Sequence, residues 1–373
     1  MSAMADSKEL KVAIIGGAGF MGSAHSKSWA LAALQTPTDV KPVKAVVVER
    51  DLDLALATAE KFGWAEAADD WKAIVDRDDI DIIDVVTPPH MHADIVCYAL
   101  ERGKHVFCEK PIANAREDVE RIVTAARAAS GVTAIGFNYR HNASIQYAAH
   151  LVASGAIGDV IQARFEYHQD DAFSDMGWRR YKAKGGSGAS SDIGSHILDL
   201  AHYLVGGIAE VNASLTTVTL SDDDDSDVDD GGAFLAHFDT GALGIFSFSQ
   251  KSHGNFAHIR FEIDGTEGGI GFDWNQRDVV RVFRKAADGR SQGGFVATPV
   301  AAGAPGVWFG SSSLGSGYLE PSTNLMVDFL GAIEGGDRPQ GDLEHGARIQ
   351  SVVDAVWKSA ETRTWVAPEP FGA

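Results

Sequence analysis

The sequence predicts an α/β fold in two parts. A parallel sheet with helices on both faces comes first, followed by an α+β region built on a large open, mostly antiparallel sheet. Three observations carry this. Between Leu10 and Phe137 short β-branched runs alternate with helix-like segments, and from Val160 onward the apolar residues switch to strict alternation. The 373 residues, 45% of them hydrophobic, also supply apolar material for two cores.

The first part reads as strands at Val12 to Ile15, Ala45 to Val48, Ile80 to Val86, His105 to Cys108 and Thr133 to Phe137. The helices between them carry their own punctuation. One runs from about Gly22 to Leu34 and stops before Pro37; Leu52 to Phe62 is closed by Gly63, His92 to Arg102 by Gly103, and Ala115 to Ser130 by Gly131. After a linking helix at about Asn142 to Ser154, Val160 to His168 alternates Ile161, Ala163, Phe165, Tyr167 with Gln162, Arg164, Glu166, His168, the period of a half-exposed strand. The turn Asp239-Thr240-Gly241 joins Phe234–Phe238 to Leu243–Phe248, and His258 to Asp264 alternates again. A helix is expected at Ser191 to Val205 and a last one at about 343–359. The expected boundary places one domain at residues 1–138 and a second at 139–373, with the last helix packing back on the first domain.

Composition excludes several classes of function. The chain carries 32 basic against 52 acidic residues, a net charge of −20, so neither a phosphate backbone nor an anionic membrane is an expected partner. Seven aspartates crowd into Ser221 to Asp230, which reads as a solvated loop, with a calcium loop as the alternative. Cys97 and Cys108 form no spaced framework, there is no apolar stretch of about 18 residues, and the first ten residues carry no export signal. A cytoplasmic protein is expected.

Three places carry chemistry. Lys11 to Gly16 leads straight into Gly17-Ala18-Gly19-Phe20-Met21-Gly22, a G-x-G-x-x-G between a strand and a helix. Glycines there allow a tight turn and close approach of a pyrophosphate, which faces free N–H groups at the helix start. In this βαβ context the pattern marks a dinucleotide-binding Rossmann domain. Glu49, after Ala45-Val46-Val47-Val48, fits the acidic residue that takes the ribose hydroxyls; it lies 27 residues beyond Gly22, where about 20 is usual. A glutamate there repels a 2′-phosphate and favours NAD, while Arg50 beside it is the residue that would admit NADP.

The second place is Glu109-Lys110-Pro111, at the strand end where open parallel sheets put their ligands. Lys110 is suited to proton transfer beside a cofactor; the residues alone equally fit a solvated lysine. The third is Asp192-Ile193-Gly194-Ser195-His196, where a carboxylate and an imidazole stand four apart on one expected helical face. Asp192 would orient His196 as a general base. A dipole-favoured aspartate beside a polar histidine fits the spacing as well, and a zinc site using both lacks a complete ligand set.

The order of these motifs resembles the Gfo/Idh/MocA oxidoreductase family over essentially the whole chain. Thr87-Pro88-Pro89-His90-Met91-His92, Phe137-Asn138-Tyr139-Arg140, Gly155-Ala156-Ile157-Gly158, Phe261 to Gly268 and Leu314 to Tyr318 carry the likeness, and Gly22 to Ser26 with Trp178 to Leu204 are similar to its levoglucosan and inositol dehydrogenase branch. The resemblance implies NAD-dependent, reversible oxidation of a secondary ring hydroxyl of a cyclic polyol or sugar. It implies Lys110, Asp192 and His196 as the catalytic set. It further implies a cofactor site from Gly17, Gly19, Phe20, Met21, Gly22, Glu49, Arg50, Thr87, Pro88, His92, Glu109, Lys110 and Asn138. Substrate contacts would come from Lys110, Tyr139, Gln169, Arg179, Asp192 and His196, with no metal, and association as a homodimer or homotetramer. The alternatives are a glycosidase or lyase that oxidises transiently with bound NAD, and a non-catalytic sensor of sugar or dinucleotide. Gly16 is an extra glycine before the fingerprint, Ala302 to Ser313 lacks the expected proline and tryptophan spacing, and Asp171 stands where an aromatic is expected.

Overall fold

The computed structural model describes residues 8–35, 39–170, 177–218, 226–286, 293–300, 304 and 317–372. Pro37, Asp171, the aspartates at 222–225 and nearly all of Ala302 to Ser313 lie outside the described residues.

The first sheet has six parallel strands: β1 (Lys8–Ile15), β2 (Val40–Val48), β3 (Glu66–Ala68), β4 (Ile82–Val85), β5 (His105–Cys108) and β6 (Thr133–Ile135), in the order β3-β2-β1-β4-β5-β6. Val12, Ala13 and Ile14 are fully buried, as are Ile82, Ile83 and Val85, because both faces of a parallel sheet lie under helices. Those helices are Phe20–Gln35, Leu52–Phe62, His92–Glu101 and Arg116–Ala128. Asp51 caps the second by accepting from the Asp53 and Leu54 N–H groups, and Gly63 ends it at φ 71°. The order runs outward on both sides of β1 and β4, so a switch point falls between their carboxyl ends. Gly16, Thr87 and Glu109 leave the sheet at that edge.

Two short elements, β3 and the helix Trp71–Val75, are absent from the sequence reading because three and five residues are too few to show a period. The helix Leu319–Ile333 was also unexpected; its stretch Pro321 to Val327 is buried on every side, so no amphipathic stripe marks it.

The second sheet has eight strands: β7 (Val160–His168), β8 (Ile208–Thr216), β9 (Gly231–Phe238), β10 (Leu243–Ser249), β11 (His258–Gly265), β12 (Gly268–Asp273), β13 (Val279–Arg284) and β14 (Val296–Pro299). Their order is β14-β13-β12-β11-β7-β10-β9-β8, antiparallel throughout except for the parallel pair β7 and β10. Alternation places Ala163, Phe165 and Tyr167 inside, where Phe165 and Phe246 stack at 5.3 Å and Phe234 and Phe246 at 4.4 Å. The opposite face is half-exposed and charged, with Arg164 held by Glu262 at 2.7 Å and by Asp264 at 2.9 Å.

Two compact units result. One comprises Met1–Asn138, Tyr318–Ala347 and Phe371–Ala373, the other Tyr139–Gly317 and Arg348–Pro370. The division therefore needs more than the single expected cut at 138/139. Helix Leu319–Ile333 joins the first unit, packing on helix Phe20–Gln35. The last helix, Leu343–Thr362, has its first residues in the first unit and Arg348 onward in the second, where Val366 beyond it pairs with Val211. No described helix is long and apolar enough to cross a membrane.

Candidate functional site

In the first unit the chain leaves β1 through Gly16 at φ 90°, and a Cβ there would stand 3.0 Å from Val86 O and Thr87 N. The extra glycine is thus the residue that lets β1 and β4 end side by side. A Cβ on Gly22 would fall 2.2 Å from Gly17 O, so the turn closes only on glycine. At Gly19, by contrast, a Cβ would meet nothing within 4 Å. Glycine there leaves open space at the start of helix Phe20–Gln35, as the approach of a pyrophosphate requires.

Glu49 leaves β2 beside this turn and its Oε1 accepts from Ala18 N–H at 2.6 Å, so the predicted ribose ligand also braces the glycine turn. Burial raises its carboxyl above the ordinary range, opposed by the Ala18 hydrogen bond and by Arg50. Phe20 is 75% exposed at the helix start, its ring 6.4 Å from Tyr318, whose hydroxyl donates to the sulfur of Met21. Thr87 Oγ1 is buried with no hydrogen-bond partner among the described residues, at the sheet edge, and Pro88 follows it. Asn138 is buried and donates to Ser322 Oγ at 2.9 Å. These features fit a dinucleotide.

Two predicted cofactor residues face inward. His92 is fully buried, its Nδ1 3.1 Å from Pro111 O and its Nε2 2.8 Å from Thr87 O. Burial holds its pKa below the usual value, and the ring is wedged between the loops after β4 and β5, its one N–H donating to a carbonyl there. Glu109 is likewise buried, and its Oε2 accepts from the Lys110 N–H at 3.1 Å. Lys110 itself is half-buried at the carboxyl end of β5.

In the second unit Asp192 belongs to a π-helical turn, Ser190–Gly194, that runs directly into helix Ser195–Leu204. The expectation of Asp192 and His196 stacked on one regular helical face is corrected here, because i to i+5 bonding widens the turn between them. Asp192 Oδ2 accepts from Gln250 Nε2 at 2.8 Å. His196, 8% exposed, lies edge-on to Tyr139 at 4.8 Å, and Tyr139 meets Trp274 at 4.9 Å. The hydroxyls of Tyr139 and Tyr167 are 3.0 Å apart, and burial, then the neighbouring Tyr167 phenol and the Asp192 carboxylate, push the Tyr139 phenol well above its ordinary pKa. Gln169 continues β7 and is bonded to Ser249 O through its N–H, which puts it beside Gln250. Arg179 sits in the turn Gly177–Arg180, its guanidinium 4.3 Å over Trp178. The structure brings Tyr139, Asp192 and His196 together.

The helix is anchored at its middle and at the turn that leads into it. Arg140 donates through Nε to Asp199 Oδ2 at 3.1 Å, both side chains being buried. Ser190 donates its N–H to Asp229 Oδ2, and its Oγ lies 2.8 Å from Asp229 Oδ1, 2.7 Å from Ser187 O and 2.9 Å from Trp357 Nε1. Burial drives Asp229 up to about 7 against its Ser190 hydrogen bonds. Among the described residues no group of three or more His, Cys, Asp or Glu is arranged to hold a metal.

Sequence reasoning missed His25, Asp84, Gln250, Trp274 and Ser322. For two of these a signal existed. Asp84 is a lone carboxylate inside the apolar strand Ile82–Val85, and Gln250 occupies the inward register of Phe246 and Phe248.

Comparison with known proteins gives concordant results. Residues 10–137 match the family described as an oxidoreductase family with an NAD-binding Rossmann fold, and residues 145–271 match the GFO/IDH/MocA C-terminal domain. The chain is 35% identical to levoglucosan dehydrogenase of Pseudarthrobacter phenanthrenivorans over 96% of its length and 98% of the relative. It is 29% identical to 1,5-anhydro-D-fructose reductase of Ensifer adhaerens, over 91% and 94%. A solved levoglucosan dehydrogenase in complex with NADH and levoglucosan superposes with a TM-score of 0.91 at 35% identity, covering 97% of this chain and 100% of that one.

Proposed function

The chain belongs to the GFO/IDH/MocA family of NAD-binding oxidoreductases, and on that premise we propose that it oxidises a secondary ring hydroxyl of an anhydrosugar or closely related pyranose. One observation supports the substrate class above others: the full-length likeness is to a protein solved with NADH and levoglucosan, and a second relative is named for an anhydro sugar. Bound NAD supplies the hydride acceptor. His196 takes the hydroxyl proton, Lys110 binds and polarises the same oxygen, and Asp192, held by Gln250, orients the imidazole. Tyr139 and Gln169 contribute hydrogen bonds to the ring, and Arg179 joins them from its turn. The phenol of Tyr139 stays protonated and serves for binding only. A carbon loses hydride and its oxygen loses a proton, leaving the ketone.

Glu49 beside the glycine turn favours NAD over NADP. The protein acts in the cytoplasm, as a dimer or tetramer formed through the charged face of Gln162, Arg164, Glu166 and His168. Light scattering at micromolar concentration should show no monomer. The deciding assay follows NADH absorbance with levoglucosan, other anhydrosugars, inositols, glucose and glycosides in turn. Turnover with the anhydrosugars at the highest kcat/KM is expected. NADH that never accumulates while a glycoside is cleaved would instead identify a transiently oxidising glycosidase or lyase.

A further inference from the structure

The helix that begins at the glycine turn carries His25 three residues beyond Gly22, and its side chain points into the protein rather than toward a ligand. Its Nδ1 lies 3.0 Å from both oxygens of Asp84 on β4, and its Nε2 lies 3.0 Å from Glu109 Oε1 at the end of β5. His25 is 2% exposed, Asp84 fully buried and Glu109 5% exposed. A neutral imidazole has one N–H and one lone pair, so one of these contacts would set lone pair against carboxylate; with both carboxylates ionised, both become attractive only when both ring nitrogens carry protons. Burial pulls the imidazole pKa down, yet the two carboxylates outweigh it and push the group up to about 10. Trp29, one turn along the same helix, donates its indole N–H to Asp84 Oδ2 at 2.7 Å. The ring of Phe107 closes the remaining side edge-on at 5.3 Å.

This assembly leads to Lys110 by one step. Glu109 Oε1 is taken by His25, and Glu109 Oε2 by the backbone N–H of Lys110. A Cβ on Gly136 would stand 2.4 Å from Glu109 Oε1, so the carboxylate fits only because that neighbour is glycine. We propose that His25 is a positioning residue for Lys110: it clamps Glu109, and through it fixes the lysine backbone relative to the helix that opens at the glycine turn. The cofactor turn and the lysine are thereby held by one buried bridge across β4 and β5. The inference rests on the role of Lys110 given above.

The test is a double-mutant cycle on the full-length enzyme, comparing His25→Gln, Lys110→Ala and the pair, with kcat per folded molecule and NADH affinity by fluorescence titration. A displacement of about 1 Å at a reacting group can cost a hundredfold in rate, so His25→Gln should lower kcat by about 10- to 100-fold while NADH affinity changes less than threefold. In the Lys110→Ala background the same substitution should cost less than twofold, because both act on one step. Equal losses in both backgrounds would show a general structural role and overturn the proposal. So would a kcat for His25→Gln within twofold of wild type. Wild-type kcat in Lys110→Ala alone would overturn the role of the lysine, a failure visible separately. Should His25→Gln not fold, Glu109→Gln keeps the shape and carries the same cycle. In the wild-type protein, nitrogen NMR of His25 should show both ring nitrogens protonated at pH 8; a neutral ring there would also overturn the bridge.

Discussion

Replacing Asp229 by asparagine should make the protein's stability less sensitive to pH between 4 and 7. Asp229 is 1% exposed, and its Oδ1 faces a Ser190 hydroxyl whose single proton is also claimed by Ser187 O. A protonated carboxyl resolves this by donating to Ser190 Oγ and leaving the serine proton for Ser187. Its pKa accordingly rises from 3.8 to about 7 through burial. For an acid whose folded pKa lies above the unfolded one, the folded state binds the proton more tightly. The associated stability is complete below about pH 4 and is lost as pH rises toward 7. Three pH units at 1.36 kcal/mol each amount to roughly 4 kcal/mol. Asparagine presents an N–H₂ to Ser190 Oγ at every pH and removes this dependence. Urea unfolding of wild type and Asp229→Asn, followed by tryptophan fluorescence at pH 5, 6, 7 and 8, reads the difference, from which other titrating groups cancel. The difference should swing by roughly 3 kcal/mol in favour of the variant from pH 5 to 8. A constant difference, or a swing of the opposite sign, would refute a carboxyl kept protonated beneath Ser190.

Gly22→Ala forces a Cβ to within 2.2 Å of Gly17 O, so the turn must open; NADH affinity should fall by at least tenfold, with about 1–3 kcal/mol of stability lost to overpacking, as read by fluorescence titration and thermal melts. Wild type should show at least a tenfold higher kcat/KM with NAD than with NADP, about 1.4 kcal/mol. Glu49→Ser should narrow that gap and also weaken NAD, since Ala18 N–H loses its acceptor. A preference for NADP in wild type would assign the choice to Arg50. Gln250→Leu removes the donor to Asp192 and should lower kcat by about tenfold with little change in NADH affinity, measured by initial rates.

Most of the first unit was legible because its strands are β-branched runs buried on both faces and its helices end on glycine; Val12 to Ile15 and Gly63 show both devices. Elements too short or too deeply buried left no period, as with Glu66–Ala68 and Leu319–Ile333. The places of the glycine turn, Glu49 and Lys110 were readable because each follows directly on a buried β-branched or apolar strand. Residues that act inside the protein were not. His25 and Glu109 meet across 84 positions of sequence, and no local pattern predicts that pairing. Likewise the π-helical turn at Ser190–Gly194 depends on Asp229 and Trp357, far along the chain, and spacing alone suggested a regular helix.

The measurement that bears most directly on the proposed chemistry is kcat of His196→Ala with the best ring substrate, under conditions where hydride transfer limits the rate. A positioned general base contributes about a hundred- to ten-thousandfold. The variant should lose that much in kcat while NADH affinity, on the proposed cofactor site at the glycine turn and Glu49, stays within threefold of wild type. A variant that keeps more than half of wild-type kcat would make His196 only a packed neighbour of Tyr139, and the proton acceptor would have to be sought elsewhere.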